Sequence, residues 1–172
     1  MGELIYRTAL APEWIDFNGH LRDAYYGLIV SYASDALMDR LGLDAGYRER
    51  THNTLYTVEM HVHYLHEVRK SDVVLVSVRL LGADRKRIHA AFDLARQGDA
   101  VVVASAELMM LHVHQGETVT TAPFGTEIAD AIGRLAAATA GAPEVGPGSR
   151  RMGVPVTRER RPDQEKDFPG TP

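Results

Sequence analysis

A short polar segment ahead of a long apolar repeat holds the residue types that could do chemistry. It places a carboxylate, an amide, a glycine and an imidazole just before a predicted helix, at Asp16, Asn18, Gly19 and His20. The free N–H groups and the dipole of a helix start favour a developing negative charge. A carbonyl group bound there would become an oxyanion during acyl transfer. The Asp16 carboxylate could then attack the carbonyl carbon directly or activate a water molecule.

The same residues could instead have a purely structural role. Asp and Asn side chains shape turns by accepting hydrogen bonds from nearby backbone N–H groups. Asp23 has a side chain that can cap a helix. Residue types alone therefore leave both interpretations of Asp16 and Asn18 open.

The helix that must position this segment is predicted from Ala24 to Leu41, with Gly42 as its stop signal. Apolar residues recur there at steps of three and four, which is typical of an amphipathic helix. These positions are Tyr25, Leu28, Ile29, Tyr32, Ala36 and Leu37. Such a helix has to bury its apolar stripe against another element. A second helical stretch is predicted over roughly residues 125–138.

Strand-like runs surround the first helix. A short strand is predicted over residues 4–10, and four β-rich runs follow the helix at 55–65, 73–81, 86–95 and 101–113. Residues 82–85 and 96–99 look like hairpin connections. We therefore expect an α+β domain over residues 1–140, in which one long helix packs on an antiparallel meander. Residues 141–172, rich in proline, glycine and charge, are predicted to be a tail.

Composition excludes several classes of protein. A formal net charge of −4 with well-mixed acids and bases argues against a nucleic-acid-binding surface. No apolar run approaches the roughly 18 residues that a membrane span needs, and no signal peptide is visible. The absence of cysteine rules out disulfides, thiolate metal sites and a cysteine nucleophile. These features indicate a cytoplasmic protein that binds neither nucleic acid nor membrane.

Two histidine pairs raise the hypothesis of a metal site. His61 with His63, and His112 with His114, each place two imidazoles on one face of a predicted strand. That spacing can chelate zinc. No shared motif joins the two pairs, however, and exposed strand histidines are the alternative. We therefore predict no metal site.

The polar segment with its helix and strands resembles the 4-hydroxybenzoyl-CoA thioesterase family of hot-dog proteins. The family motif reads approximately Asp-x-x-Gly-His-Val-Asn-Asn-x-x-Tyr, and the matching residues are Asp16, Gly19, His20 and Tyr26. Leu21 is a mild change, while Arg22 and Asp23 replace the asparagine pair. The resemblance implies a hot-dog fold, a long central helix wrapped by an antiparallel sheet. It also implies a catalytic site at Asp16, Gly19, His20 and Asp23, with Asp16 as nucleophile or general base and a backbone N–H near Asp23 polarising the thioester carbonyl.

Four segments, residues 13–20, 56–59, 86–89 and 111–113, resemble betainyl-CoA thioesterases in particular. This resemblance implies an acyl group that carries a trimethylammonium. Such a cation is held by aromatic faces and carboxylates. The substrate-binding candidates are Trp14, Asn18, Tyr25, Tyr26, Tyr56 and Glu59. For the aromatic residues the alternative is an ordinary place in the core, and for Glu59 it is a solvated strand face.

Coenzyme A also needs a phosphate-binding site, for which we predict Lys86 and Arg87, with Arg69 and Lys70 as an alternative cluster. The resemblance implies hydrolysis of an acyl-CoA to free CoA and a carboxylic acid, without a cofactor, in a homodimer or homotetramer with its sites at the subunit interface. Two other functions stay open. One is a hot-dog hydratase or dehydratase acting on an acyl thioester, and the other is a non-catalytic acyl-CoA-binding module.

Overall fold

The computed structural model describes residues 2–99 and 101–143. In chain order its elements are β1 (Glu3–Ala9), a 3₁₀ turn (Pro12–Trp14), α1 (Asp23–Leu41), α2 (Ala45–Thr51), β2 (Asn53–Tyr64), β3 (Val73–Ala83), β4 (Arg87–Arg96), β5 (Val102–Gln115), β6 (Val119–Thr121) and α3 (Thr126–Thr139). The strands form one antiparallel sheet in the order β1-β3-β4-β5-β2. The short strand β6 pairs with the C-terminal end of β5.

The core lies between α1 and one face of this sheet. Alternate residues of the central strands are fully buried there, among them Val76, Phe92 and Leu108, because successive side chains of a strand point to opposite faces. They belong to the same apolar cluster as Ile29 and Leu37 of α1. A long helix on an antiparallel sheet is the arrangement that the hot-dog fold requires, so the predicted fold class is confirmed.

Both predicted helices are present with nearly the expected bounds. Gly42 follows α1 with a φ of 85°, a left-handed conformation that glycine adopts without a steric cost, and it ends the helix as expected. Gly125 is the N-cap of α3, which buries Ile128 and Leu135. The hydroxyl of Thr139 accepts a hydrogen bond from the Leu80 N–H at 3.3 Å, which joins the end of α3 to β3.

The position of β2 differs from the predicted meander. Of the strands predicted for the meander, β3, β4 and β5 are sequential neighbours, whereas β2 pairs with β5 at the sheet edge, with Met60 opposite Leu108. The physical reason lies in residues 65–72, which do not make a tight hairpin turn. Their backbone binds the polar segment instead, since the Leu21 N–H donates to the Val68 carbonyl at 2.8 Å. The structure also contains α2, between the first predicted helix and the strand that follows it, where no element was predicted. The Asp44 side chain caps α2 by accepting from the Tyr47 N–H.

A buried polar cluster lies on the sheet face opposite α1. Asp93 sits between the core residues Phe92 and Leu94, so its side chain points to the other face. Its carboxylate accepts hydrogen bonds from Arg79 Nε and from Ser105 Oγ, both at 3.2 Å. The Arg79 and Asp93 side chains are only 6% and 8% exposed. They therefore form a buried ion pair that the alternation of apolar residues does not predict.

The predicted tail begins just after α3. Residues 144–172 lie outside the described residues, so the predicted domain boundary near residue 140 stays a prediction. Within the described ranges, no helix is long and apolar enough to cross a membrane.

Candidate active site

The polar segment forms the tip of a tight hairpin that leads into α1. Ile15 and Leu21 pair as an antiparallel bridge, and the Asp16 N–H donates to the His20 carbonyl at 2.8 Å. The Gly19 N–H closes the turn on the Asp16 carbonyl at 3.1 Å. Gly19 has a φ of 82°, which a residue with a side chain adopts only with strain. The glycine of the motif is thus explained by backbone geometry.

The two oxygens of the Asp16 carboxylate have different surroundings. Oδ1 accepts hydrogen bonds from the Asn18 N–H at 2.8 Å and from the His20 N–H at 3.0 Å. Oδ2 accepts no hydrogen bond from the residues that the structure describes. The His20 N–H, with help from that of Asn18, lowers the pKa of Asp16, so the group is ionised at neutral pH. One oxygen therefore shapes the turn while the other is available for chemistry.

The first residue of α1 offers a hydrogen-bond donor close to this hairpin. The Arg22 N–H donates to the Trp14 carbonyl at 3.0 Å, so the hairpin ladder runs directly into the helix. The Asp23 side chain accepts from the Ala24 N–H at 2.8 Å. The backbone N–H of Asp23 has no acceptor among the described residues. The structure therefore presents a free amide and the positive end of the helix dipole where an oxyanion could be stabilised.

The segment that follows β2 holds the hairpin from the other side. His20 forms an isolated bridge with Arg69 through the backbone. The Nε2 atom of His20 lies 3.2 Å from Glu67 Oε2. These contacts hold His20 between the motif and the segment, and they bring Glu67 close to the hairpin.

A cavity of about 310 Å³ lies beside the start of α1. Its lining residues are Leu21, Asp23, Tyr26, Tyr64, Leu65, His66 and Glu67. The rings of Tyr26 and Tyr64 meet edge to face with centroids 5.1 Å apart, and the Tyr64 hydroxyl donates to the Asp23 carbonyl at 3.3 Å. Sequence reasoning missed Tyr64 and Glu67. The available signal was weak, since Tyr64 is only the last residue of an alternating strand.

Apart from Tyr26, the predicted substrate residues are not in the lining of this cavity, although Asn18 lies in the hairpin turn beside it. Trp14 and Tyr25 stack on each other with centroids 5.5 Å apart and pack against the core. The Tyr56 hydroxyl accepts from the Gln115 side chain at 2.9 Å, and Glu59 pairs with His61 at 2.8 Å. Along β2 the rise from Tyr56 to Tyr64 is about 26 Å. Within one chain, Tyr56 therefore lies far from the hairpin.

The predicted phosphate ligands separate into two environments. Lys86 lines a cavity of about 350 Å³ together with Arg85 and Thr121, and its Nζ donates to the Thr121 hydroxyl at 3.3 Å. Arg87 instead donates twice to Asp84 Oδ2, at 2.8 and 2.6 Å, and thereby lowers the pKa of Asp84 to about 2. Because Arg87 is engaged by Asp84, Arg85 is the better placed partner for Lys86.

The alternative basic cluster lies nearer the hairpin. Arg69 lines a cavity of about 550 Å³ with Arg96, and the acidic side chains Asp72, Asp99 and Glu67 lie in the same wall. Arg96 already pairs with Asp99 at 2.8 Å. The charges of this cavity are therefore largely balanced, which makes it a weaker phosphate site than the one at Arg85 and Lys86.

The histidine pairs have partners of their own. The buried His112 donates from Nδ1 to the Ala122 carbonyl at 2.9 Å, its Nε2 lies 3.0 Å from the Tyr47 hydroxyl, and burial lowers its pKa. His114 Nδ1 contacts the Asn53 side chain at 2.8 Å. Among the described residues, no group of three or more His, Cys, Asp or Glu side chains is arranged to hold a metal ion.

Comparisons with known proteins agree on one family. The model of the thioesterase-like superfamily matches residues 10–132. The chain is 42% identical over 153 residues to a betainyl-CoA thioesterase of Pseudomonas aeruginosa, which covers 89% of this chain and 96% of the relative.

Two solved structures extend the similarity to three dimensions. One is the crystal structure of a candidate thioesterase from Pseudomonas putida KT2440, with a TM-score of 0.77 and 40% identity over 91% of this chain and 99% of the other. The second is the protein SAV2348 from Staphylococcus aureus, solved in complex with CoA, with a TM-score of 0.80 and 26% identity over 90% and 98% of the two chains. The family match, the identity to these relatives and the shared fold show that the chain belongs to the thioesterase-like superfamily and is an acyl-CoA thioesterase of the hot-dog fold.

Proposed function

We propose that this enzyme hydrolyses betainyl-CoA to betaine and free CoA, with Asp16 as its catalytic carboxylate. We infer the substrate from the 42% identity to a betainyl-CoA thioesterase across nearly the whole of both chains. The reaction consumes only water, so the proposal includes no metal and no redox cofactor. Because CoA thioesters are made and used inside cells, we place the enzyme in the cytoplasm.

The proposed chemistry begins with ionised Asp16. Oδ2 attacks the thioester carbonyl carbon, the carbonyl oxygen becomes an oxyanion, and the Asp23 N–H at the start of α1 stabilises it. The C–S bond then breaks, CoA leaves as a thiolate that takes up a proton, and water hydrolyses the resulting mixed anhydride to regenerate Asp16. The alternative is that Asp16 takes a proton from the attacking water. In both routes the lowered pKa keeps the Asp16 carboxylate ionised at neutral pH, as the reaction requires.

The proposal includes a homodimer built through β2. This strand has 12 residues, pairs only with β5 among the described strands, and leaves its other edge open. Val58 on it is 56% exposed, and Met60 is exposed as well. A long, apolar, unpaired edge strand is a template for pairing with another chain. Two copies that pair β2 with β2 around a two-fold axis satisfy both edges at once.

Such a dimer would bring together residues that lie far apart in one chain. Antiparallel pairing of the two β2 strands sets the Tyr56 end of one against the Tyr64 end of the other. Lys86 lies at the Tyr56 end of the sheet, because the His112 N–H donates to the Lys86 carbonyl and Leu111 pairs with Tyr56. The CoA phosphates would therefore be held by the partner's Arg85 and the partner's Lys86, while Asp16 acts on the thioester.

Replacing Val58 with lysine should convert the dimer to a monomer and remove most of the activity. A lysine on an edge strand opposes pairing because its charge would have to lose its water. Sedimentation velocity at a fixed protein concentration measures the assembly. The matched control is Leu4→Lys, since Leu4 is 58% exposed on β1, the opposite edge strand. A dimer that survives Val58→Lys and is lost in Leu4→Lys would show that the other edge is the interface.

The proposed substrate is tested by thiol release from a panel of acyl-CoAs. The panel contains betainyl-, acetyl-, benzoyl- and medium-chain acyl-CoA at equal concentrations. We expect the highest kcat/KM with betainyl-CoA. Hydrolysis confined to neutral acyl groups would retain the thioesterase and reject betainyl-CoA, whereas release from none of them would favour an acyl-CoA-binding role or a hydratase.

A further inference from the structure

We infer that the cavity beside the start of α1 is a cation-binding site for a trimethylammonium acyl group, and that Tyr64 and Glu67 determine its specificity. The inference rests on the proposed function, because it assigns the part of the active site that recognises the acyl group. The motif itself contains neither residue. The structure brings both to it from the end of β2 and the segment that follows.

The aromatic wall of the cavity suits a cation that cannot donate hydrogen bonds. Tyr64 is 55% exposed, and its ring and the buried ring of Tyr26 are nearly perpendicular, at 85°. The hydrogen bond from its hydroxyl to the Asp23 carbonyl fixes where the ring lies. A quaternary ammonium is attracted to an aromatic face within about 6 Å of the ring centroid. The Tyr64 ring is therefore held in place with surface left to contact a ligand.

The carboxylates around the cavity are opposite in charge to the proposed trimethylammonium group. The two carboxylates of its lining are those of Asp23 and Glu67. Glu67 also lies in the wall of the neighbouring cavity, which holds Arg69 and Arg96. At the cavity beside α1, the groups that face the two carboxylates are the imidazoles of His66, in the same wall, and of His20, which lies 3.2 Å from Glu67. No lysine or arginine belongs to the described lining of this cavity. Two carboxylates in a cleft attract a cationic acyl group and disfavour an anionic one.

The location of the cavity also suits the short betainyl group. Asp23 contributes both to the cavity lining and, through its backbone N–H, to the helix start. In betaine one methylene separates the ammonium nitrogen from the carbonyl carbon. An ammonium held in the cavity would therefore leave the carbonyl near the Asp23 amide. The volume of about 310 Å³ is at the lower end of the range for ligand pockets, as expected for a small acyl group.

The test compares two substrates of the same shape that differ in charge. Betainyl-CoA and 3,3-dimethylbutanoyl-CoA differ only in the nitrogen or carbon that carries the three methyl groups. We expect the ratio of their kcat/KM values to favour betainyl-CoA in the wild type. Tyr64→Leu and Glu67→Gln should each lower this ratio by about tenfold. Tyr64→Phe keeps the ring and should keep the ratio, and Glu67→Gln can still bond His20. Tyr32→Leu, an exposed tyrosine of α1 outside the cavity, is the matched control.

Each outcome decides a different point. A ratio that falls in Tyr64→Leu and Glu67→Gln, and stays in Tyr64→Phe and Tyr32→Leu, supports the cation site. An unchanged ratio in both altered variants, with betainyl-CoA still preferred, overturns the site and leaves the proposed function standing. Equal hydrolysis of both substrates by the wild type overturns the site together with the betainyl substrate. Thermal melts of all four variants identify any that fail to fold, and Glu67→Gln, at an exposed side chain, serves as the variant least affected in folding.

Discussion

Asp16→Asn should lower kcat for acyl-CoA hydrolysis by about 10²- to 10⁴-fold, with little change in KM. An amide can neither attack the thioester carbon nor take a proton from water. It can still accept the hydrogen bonds that Asp16 Oδ1 receives from the Asn18 and His20 N–H groups, and asparagine is common in such turns. The substitution therefore removes the chemistry and leaves the hairpin. Thiol release under saturating substrate measures the effect.

The control for this variant is Asp35→Asn, which removes an exposed carboxylate from α1 outside the site. It should retain wild-type kcat. The pH dependence gives a second readout. The Asp16 pKa is lowered, so the active ionised form persists as the pH falls and is lost only below the ordinary range of an aspartate. The rate of the wild type should therefore show no loss from Asp16 protonation above about pH 5. Undiminished kcat in Asp16→Asn would remove Asp16 from the mechanism.

Asp93→Ala should destabilise the protein by about 3–5 kcal/mol. The substitution leaves the Arg79 side chain, which is 6% exposed, without its carboxylate and also removes the acceptor of the Ser105 hydroxyl. A buried charge without a partner has lost its hydration and gains nothing in return. Urea denaturation measures the free energy of unfolding. The variants are compared at equal protein concentration, because association of the subunits adds a concentration-dependent contribution to that free energy.

Two variants separate the unpaired charge from the lost packing. The double variant Arg79→Met/Asp93→Leu removes both charges and keeps apolar volume, so it should be much closer to the wild type than Asp93→Ala. Ser105→Ala removes only one hydrogen bond and should cost about 1 kcal/mol. If Asp93→Ala costs no more than Ser105→Ala, water must reach Arg79, and the pair does not hold the strands together.

Local patterns were sufficient to predict most of the secondary structure. The apolar spacing of α1, its glycine stop, the β-rich runs of β2 to β5 and the second helix all correspond to elements of the structure. These features depend on the 3.6- and 2-residue periods, which are properties of neighbouring residues. The helix α2 was missed because its seven residues are too few to show a period, and the cap that begins it, Asp44, reads equally well as a turn residue.

Pairing between distant segments could not be predicted in the same way. Alternation shows that β2 is a strand, but its partner depends on where the chain after Tyr64 goes. That chain binds the hairpin through Val68 and Arg69, and β3 then lies three positions from β2, with β4 and β5 between them. The charged residues Arg79 and Asp93 break the apolar pattern of their strands. Their burial depends on meeting each other across β3 and β4.

The sequence by itself determined the hairpin and its chemistry, because Asp16, Gly19 and His20 act on each other within five residues through backbone hydrogen bonds. It also determined the helix that follows and the family that the motif resembles. Only the tertiary structure decided which side chains line the cavity beside the hairpin. Tyr64 and Glu67 come from more than 40 residues away and reach the hairpin because β2 and the segment after it pack there. Burial and the direction of a side chain follow from long-range packing, which no local period encodes.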